Sequence, residues 1–192
     1  MLEAGWRAHV TWQARLQQGY LVSGGEGLTL RVRTSEPLTA AAAAETAQAE
    51  TTEPLTAAAA AEAAWLTLKA APPHSAPGSE PRPGQALSRL EFEYAIPVAD
   101  AQALLQLAPH QLSKCRYGLD LAGGDWVLDV FEADNAPLVV AEVELQDPDQ
   151  PVVPPPWCGL ELTGRHELSN AALAARPLAL WSEAERRQLL AP

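Results

Sequence analysis

The chain is poor in the residues that most often announce a reactive centre. It has two cysteines, one methionine, two phenylalanines and four histidines in 192 residues. Cys115 and Cys158 stand in unrelated contexts with no short metal-ligand spacing, which argues against a disulfide framework and against a zinc site. His9, His74, His110 and His166 are scattered, so no histidine-based constellation is visible. Long apolar runs are also missing: nothing approaches the roughly 18 residues of a membrane-spanning helix. The opening MLEAGWRAHV has no basic start, apolar core or cleavage site of a signal peptide. Gly24, Gly25 and Gly27 are not followed by the Lys-Ser/Thr that completes a phosphate loop. Positive charge is scarce too, with 13 Lys+Arg against 24 Asp+Glu and a formal net charge of −11. That balance disfavours nucleic acid or an anionic membrane as partner. The expectation is a soluble, cytoplasmic protein, with protein partners left open.

What is present is a hydrophobic fraction of 47%, enough for one domain with a core, and a series of segments with strand periodicity. In VVAEVELQ, Ala141, Val143 and Leu145 point one way while Glu142 and Glu144 point the other. A water-facing surface is the plain explanation for one such pair. The rest of the chain repeats the pattern with one sign per strand. LTLRVRT carries Arg31 and Arg33, SKCRYGLDL carries Lys114 and Arg116, and LEFEYAIP carries Glu91 and Glu93. WLTLKA ends on Lys69, and DWVLDVFEA places Asp129 between Leu128 and Val130.

Organisation is uneven along the chain. Residues 20–33 read as two strands around a Gly-rich turn. EPLTAAAAAE occurs at Glu36–Glu45 and again at Glu53–Glu62. Two copies do not make a solenoid. Ser35 and Thr52 offer N-caps for short helices, but alanines give them little to bury. Residues 34–62 therefore read as an Ala-rich duplicated insertion without chemistry, and residues 71–84 as a Pro-rich loop. VADAQALLQLA reads as a helix with Asp100 as a cap. Strands follow at 113–121, 125–132 and 138–146. SEAERRQLL reads as a C-terminal helix, with Ser182 and Glu185 at capping-box spacing.

Five cationic and five anionic groups on strand faces pose an energetic question. Turned inward, they cost several kcal/mol per ion unless paired, so such an interior calls for a ligand. A polyphosphate with a divalent metal suits both signs: arginines fork onto phosphate oxygens, and carboxylates hold Mg²⁺. Paired carboxylates alone also suit glycoside hydrolysis, but a neutral sugar has no use for five cations.

The fragments QQGYL, LTLRVR, WLTLK, RLEFEYAIPVADAQALL, KCRYGL, DWVLDVFEADNAPLVVAEVEL, PPPWCGLELTG and LSNAALAARP, in this order, resemble the CYTH superfamily, the triphosphate tunnel metalloenzymes. The resemblance implies an α+β fold, an antiparallel eight-stranded β-barrel with flanking helices, spanning residues 1–180 with a C-terminal helix at 181–192. It implies Mg²⁺- or Mn²⁺-dependent hydrolysis of inorganic or organic triphosphate. Arg31, Arg33, Lys69, Lys114 and Arg116 then match the phosphate-binding cations. Glu142 and Glu144 match catalytic metal carboxylates, with Asp129, Glu91 and Glu93 as supporting metal-site acids and Glu161 as a further tunnel acid. The family opens on a strand bearing Glu-x-Glu-x-Lys, which has no counterpart here, so the expected barrel lacks its first strand in this chain. That departure keeps a non-catalytic triphosphate- or polyphosphate-binding module as the alternative. Charged faces that are simply wet form the third reading.

Overall fold

A computed structural model describes residues 4–23, 28–38, 62–70, 90–145, 147 and 150–189. Its strands are β1 (Val10–Ser23), β2 (Thr29–Pro37), β3 (Ala63–Ala70), β4 (Leu90–Ala95), β5 (His110–Leu119), β6 (Asp125–Phe131) and β7 (Val139–Glu144). Helix α1 (Val98–Leu107) lies between β4 and β5, and α2 (Asn170–Ala175) and α3 (Glu183–Leu189) follow the last strand. All seven strands belong to one antiparallel sheet in the order β4-β3-β2-β1-β5-β6-β7. The sheet curls as a half-barrel. Seven strands are thus found among the described residues, where an eight-stranded barrel without its first strand was expected. The segment around Glu161 forms no strand, and Glu161 is exposed.

Register decides which side chains share a face, because directly opposed residues in an antiparallel pair point the same way. One face carries Leu16, Gln18 and Tyr20 of β1, opposed by Ser35, Arg33 and Arg31 of β2 and by Lys114, Leu112 and His110 of β5. The opposite face is covered by apolar packing in two places. Val32, Ala64 and Leu66 pack under α1 through Ala101 and Leu105. Leu119, Trp126 and Leu128 pack against Trp6 of the 3₁₀ segment Ala4–His9, with Val152, Trp157 and Cys158 beside them. Helix α1 sits so close to β1 that a Cβ on Gly19 would lie 2.7 Å from the Ala108 Cβ and 2.9 Å from the Leu105 Cδ2. Glycine is required there for backbone approach.

The C-terminal segment takes the other side. Leu173 and Ala174 of α2, with Leu178 and Trp181, cluster with Tyr20, Leu112 and Phe131, all on the face opposite α1. Asn135 fastens this segment: its Nδ2 donates to the Leu173 carbonyl at 3.2 Å, and its Oδ1 accepts from the Leu178 N–H at 3.0 Å. One end of the charged face is thereby closed with apolar side chains.

Several boundaries differ from the sequence reading. β1 begins at Val10, ten residues before the expected start. β2 continues through Thr34–Pro37, four residues into the stretch assigned to the insertion, and Ser35 is a strand residue rather than a helix cap. Most of the duplicated alanine stretch and the whole Pro-rich loop lie outside the described residues. Pro97, with no side-chain cap, precedes α1, so Asp100 does not cap it. The capping box at α3 is formed in both directions: the Ser182 N–H donates to the Glu185 Oε2 at 2.7 Å, and the Glu185 N–H donates to the Ser182 Oγ at 3.3 Å.

Candidate functional site

All ten charged residues singled out from the sequence lie on one face of the sheet. Arg31 and Arg33 oppose Thr67 and Trp65 on β3, which oppose Glu93 and Ala95 on β4. Lys69 opposes Glu91. On the other flank, Arg116 opposes Asp129, Asp129 opposes Val140, Val127 opposes Glu142, and Asp125 opposes Glu144. The layout has a rough mirror order. Neutral Gln18 and Tyr20 occupy the central strand, cations flank them on β2, β3 and β5, and carboxylates take β6 and the edge strands β4 and β7.

Each flank is an ion-pair network. On the β2–β4 flank, Arg33 Nη2 donates to both Glu93 oxygens at 3.1 and 3.3 Å, and Arg31 Nη2 reaches Glu93 Oε2 at 3.5 Å. Thr67, fully buried, accepts from Arg31 at 3.1 Å and donates to Glu93 at 2.9 Å. Lys69 pairs with Glu91 at 2.8 Å. Arg33 also lies over the Trp65 ring, 4.7 Å from its centroid. Burial pulls the Arg33 guanidinium down, Glu93 opposes that, and the positive charges of Arg31 and Arg116 add to it. The influence of Arg116 on Arg33 carries from β5 to β2 over the central strand. The Nε atoms of Arg31 and Arg33 are buried without a hydrogen-bond partner among the described residues.

The β5–β7 flank is tighter. Asp129, fully buried, accepts two bonds from Arg116, Nε to Oδ1 and Nη2 to Oδ2, both 2.7 Å, the forked geometry of a strong charge-assisted pair. Its Oδ2 also accepts from Lys114 Nζ at 2.5 Å. Lys114 is wholly buried and donates a further bond to Asn170 Oδ1 of α2 at 2.9 Å. Burial works against ionising Asp129, but the hydrogen bonds and charges of Arg116 and Lys114 overcome it and hold the carboxyl below its ordinary value. Burial lowers Lys114, with Asp129 working the other way. Arg116 also donates to Glu142 at 3.0 Å. Burial lifts the Tyr20 phenol to about 12, against the pull of Arg31.

The candidate residues are therefore brought together but unequally placed. Arg31, Arg33, Lys69 and Arg116 are partly open or pair with exposed acids. Lys114 is sealed at the closed end. Asp129 is committed to two cations, and Glu91 and Glu93 are committed to the β2–β3 cations. Glu144 has no ion pair among the described residues. No group of three or more His, Cys, Asp or Glu is placed to hold a metal among those residues. Glu142 and Glu144, on alternate positions of one strand, nevertheless suit Mg²⁺, which commonly takes one or two carboxylates and completes its shell with water and phosphate. Sequence reading overlooked Thr67, Gln18, Tyr20 and Asn170. Thr67 was within reach, since it lies two residues before Lys69 on the same face.

Known proteins resemble the chain in sequence and in fold. The chain is 38% identical over 93 residues to an inorganic triphosphatase of Acetivibrio thermocellus, a match covering 47% of this chain and 60% of the relative. It is 38% identical over 92 residues to an inorganic triphosphatase of Nitrosomonas europaea, covering 46% and 61%. The crystal structure of the inorganic triphosphatase NE1496 superposes with a TM-score of 0.50 and 26% identity, covering 84% of this chain and 82% of that one. The chain is thus similar to inorganic triphosphatases, in sequence over about half of its length and in fold over most of it. Its matches span about three fifths of the length of these curated relatives, and no family profile matches the chain.

Proposed function

We propose that the charged face binds a linear triphosphate and that the protein hydrolyses it with a divalent metal. The observation that carries this reading is the pair Arg31 and Arg33, whose buried Nε atoms lack partners in the middle of a one-sided array of cations. Unpaired buried donors are costly, and a phosphate oxygen is the acceptor that suits a guanidinium best. Arg31, Arg33 and Lys69 would take one end of the ligand and Arg116 the other, with Gln18 and Tyr20 beneath its middle. Lys114, buried behind Asp129, would set the position of Arg116 through that shared carboxylate. Arginine charge beside a phosphoryl group stabilises the negative charge that builds in phosphoryl transfer. We assign Glu142 and Glu144 to hold Mg²⁺ or Mn²⁺, which when bound supplies charge neutralisation and activates water. The sheet reads as the larger part of an eight-stranded tunnel, with the edges β4 and β7 as the place where a further strand would close it.

The test is calorimetric titration of tripolyphosphate with Mg²⁺ present, together with phosphate release. Wild-type protein should bind and release phosphate. Arg31→Ala and Arg33→Ala should each weaken binding at least tenfold, and the double change Glu142→Gln, Glu144→Gln should remove the dependence on metal. Unchanged affinity in both arginine variants would refute the assignment, and binding without phosphate release would reduce the protein to a binding module.

A further inference from the structure

The two acids that meet the arginines and lysines most directly are held in opposite ways. Asp129 is fully buried in the middle of the β5–β7 flank, forked by Arg116 and bound by Lys114. Glu93 lies on β4, an edge strand whose six residues are all exposed. Its side chain is 34% accessible, yet both of its oxygens fill the terminal nitrogens of Arg31 and Arg33, steadied by the Thr67 hydroxyl. A carboxylate there meets one terminal nitrogen of each guanidinium group while both Nε atoms lack a partner among the described residues. It supplies one planar, singly charged group where two guanidinium groups converge. A phosphoryl group offers three oxygens and more charge.

We infer that Glu93 is an internal competitor for the anion site, occupying the Arg31–Arg33 pair until a polyphosphate displaces it, and so a determinant of which anions bind. The inference rests on the triphosphate reading above. Displacement has a fixed cost, whereas the gain from binding grows with each phosphoryl group that meets a cation. Short anions therefore fail to repay it at concentrations where a triphosphate succeeds. Two features make Glu93 able to leave. Among the described residues its strand is paired on one side only, and its side chain is part of no apolar cluster there.

The opposite role is a positioning one, in which Glu93 holds the arginines ready and its loss disorders them. The two roles differ in sign. Tripolyphosphate is titrated calorimetrically with EDTA present, so that metal ligation does not enter. The variants are Glu93→Gln, Glu93→Asp, Thr67→Val, Arg31→Ala and, as a remote loss of one negative charge, Glu167→Gln. Glu93→Gln should tighten binding at least tenfold and Thr67→Val should shift it the same way by a smaller factor. Glu93→Asp should stay within threefold of wild type, as should Glu167→Gln. Weaker or unchanged binding in Glu93→Gln, or equal tightening in Glu167→Gln, overturns the inference. Should Glu93→Gln fail to fold, the sign of the Thr67→Val shift decides. If Arg31→Ala leaves a wild-type affinity intact, the triphosphate reading itself fails. If Arg31→Ala abolishes binding while Glu93→Gln does not tighten it, only the competitor role of Glu93 is lost. Binding seen in Glu93→Gln but below detection in wild type supports the inference, and binding in neither overturns it.

Discussion

Replacing Asp129 with Ala removes the only carboxylate that Lys114 meets among the described residues. The ammonium is wholly buried, and Asn170 is its one remaining hydrogen-bond partner. Arg116 loses both of its 2.7 Å bonds but keeps Glu142 at 3.0 Å and some exposure to solvent. The damage is therefore concentrated on Lys114. Removing one partner of a buried pair costs about 3–5 kcal/mol, and in a chain of this size each kcal/mol moves the melting temperature by roughly 2–4 °C. Asp129→Ala should melt about 10 °C below wild type or lower, read by thermal denaturation followed by tryptophan fluorescence at pH 7. A second change, Lys114→Met, should recover much of the loss, because an apolar side chain has no charge to strand. The pH dependence has a defined sign. With Asp129 gone, the folded-state pKa of Lys114 falls further below its unfolded value, so the unfolded chain binds more protons and stability rises with pH. The deficit should shrink between pH 7 and pH 10. In the wild type the depressed Asp129 adds an acid limb of the same sign: its contribution is present above about pH 4 and is lost as pH falls through the lower folded value. An Asp129→Ala protein within about 1 kcal/mol of wild type at pH 7 would refute the argument, since no buried charge would then have been exposed by the change.

Two further outcomes test the packing that frames the site. Leu173→Ala opens a cavity at a fully buried position against Tyr20, Leu112 and Phe131, and should cost about 2–5 kcal/mol in urea unfolding. Gly19→Val drives a side chain into Ala108 and Leu105, where even a Cβ would meet atoms at 2.7 and 2.9 Å. It should cost about 1–3 kcal/mol and raise hydrogen exchange in α1, whereas neutral behaviour would mean that α1 can stand off the sheet.

The charged face was legible because strand periodicity is a strong signal when alternate residues carry one sign. LTLRVRT, SKCRYGLDL and LEFEYAIP each revealed two members, and only the strand order was needed to put them together. The partners of those charges were not legible. Nothing local to Asp129 announces that Lys114 and Arg116, on a neighbouring strand, will claim both of its oxygens, and nothing local to Glu93 points to Thr67. Sequence spacing gives the face of a residue, whereas register gives its neighbour. The early start of β1 was hidden for a different reason. Gln13, Arg15 and Gln17 alternate with Ala14, Leu16 and Gln18, so buried Gln18 breaks the apolar pattern that would have extended the strand. The C-terminal segment LSNAALAARP reads as a short helix from its composition, but its seat over Tyr20 and Phe131 depends on Asn135, a turn residue some forty positions earlier.

The one-sidedness of the charge also governs how an anion arrives. Five cations and six acids, Asp125 beside Glu144 included, nearly cancel on that face, so almost all of the formal charge of −11 belongs to the rest of the molecule. At a distance the protein is a polyanion, and a triphosphate approaching it is repelled until it comes within the cationic centre of the face. Salt screens the outer field over about 8 Å at physiological ionic strength but reaches the partly buried arginines much less. Added salt therefore lowers the barrier to encounter faster than it weakens the contacts formed afterwards. If the charged face binds triphosphate as proposed, stopped-flow association should quicken with ionic strength over the range where a basic phosphate-binding protein would slow.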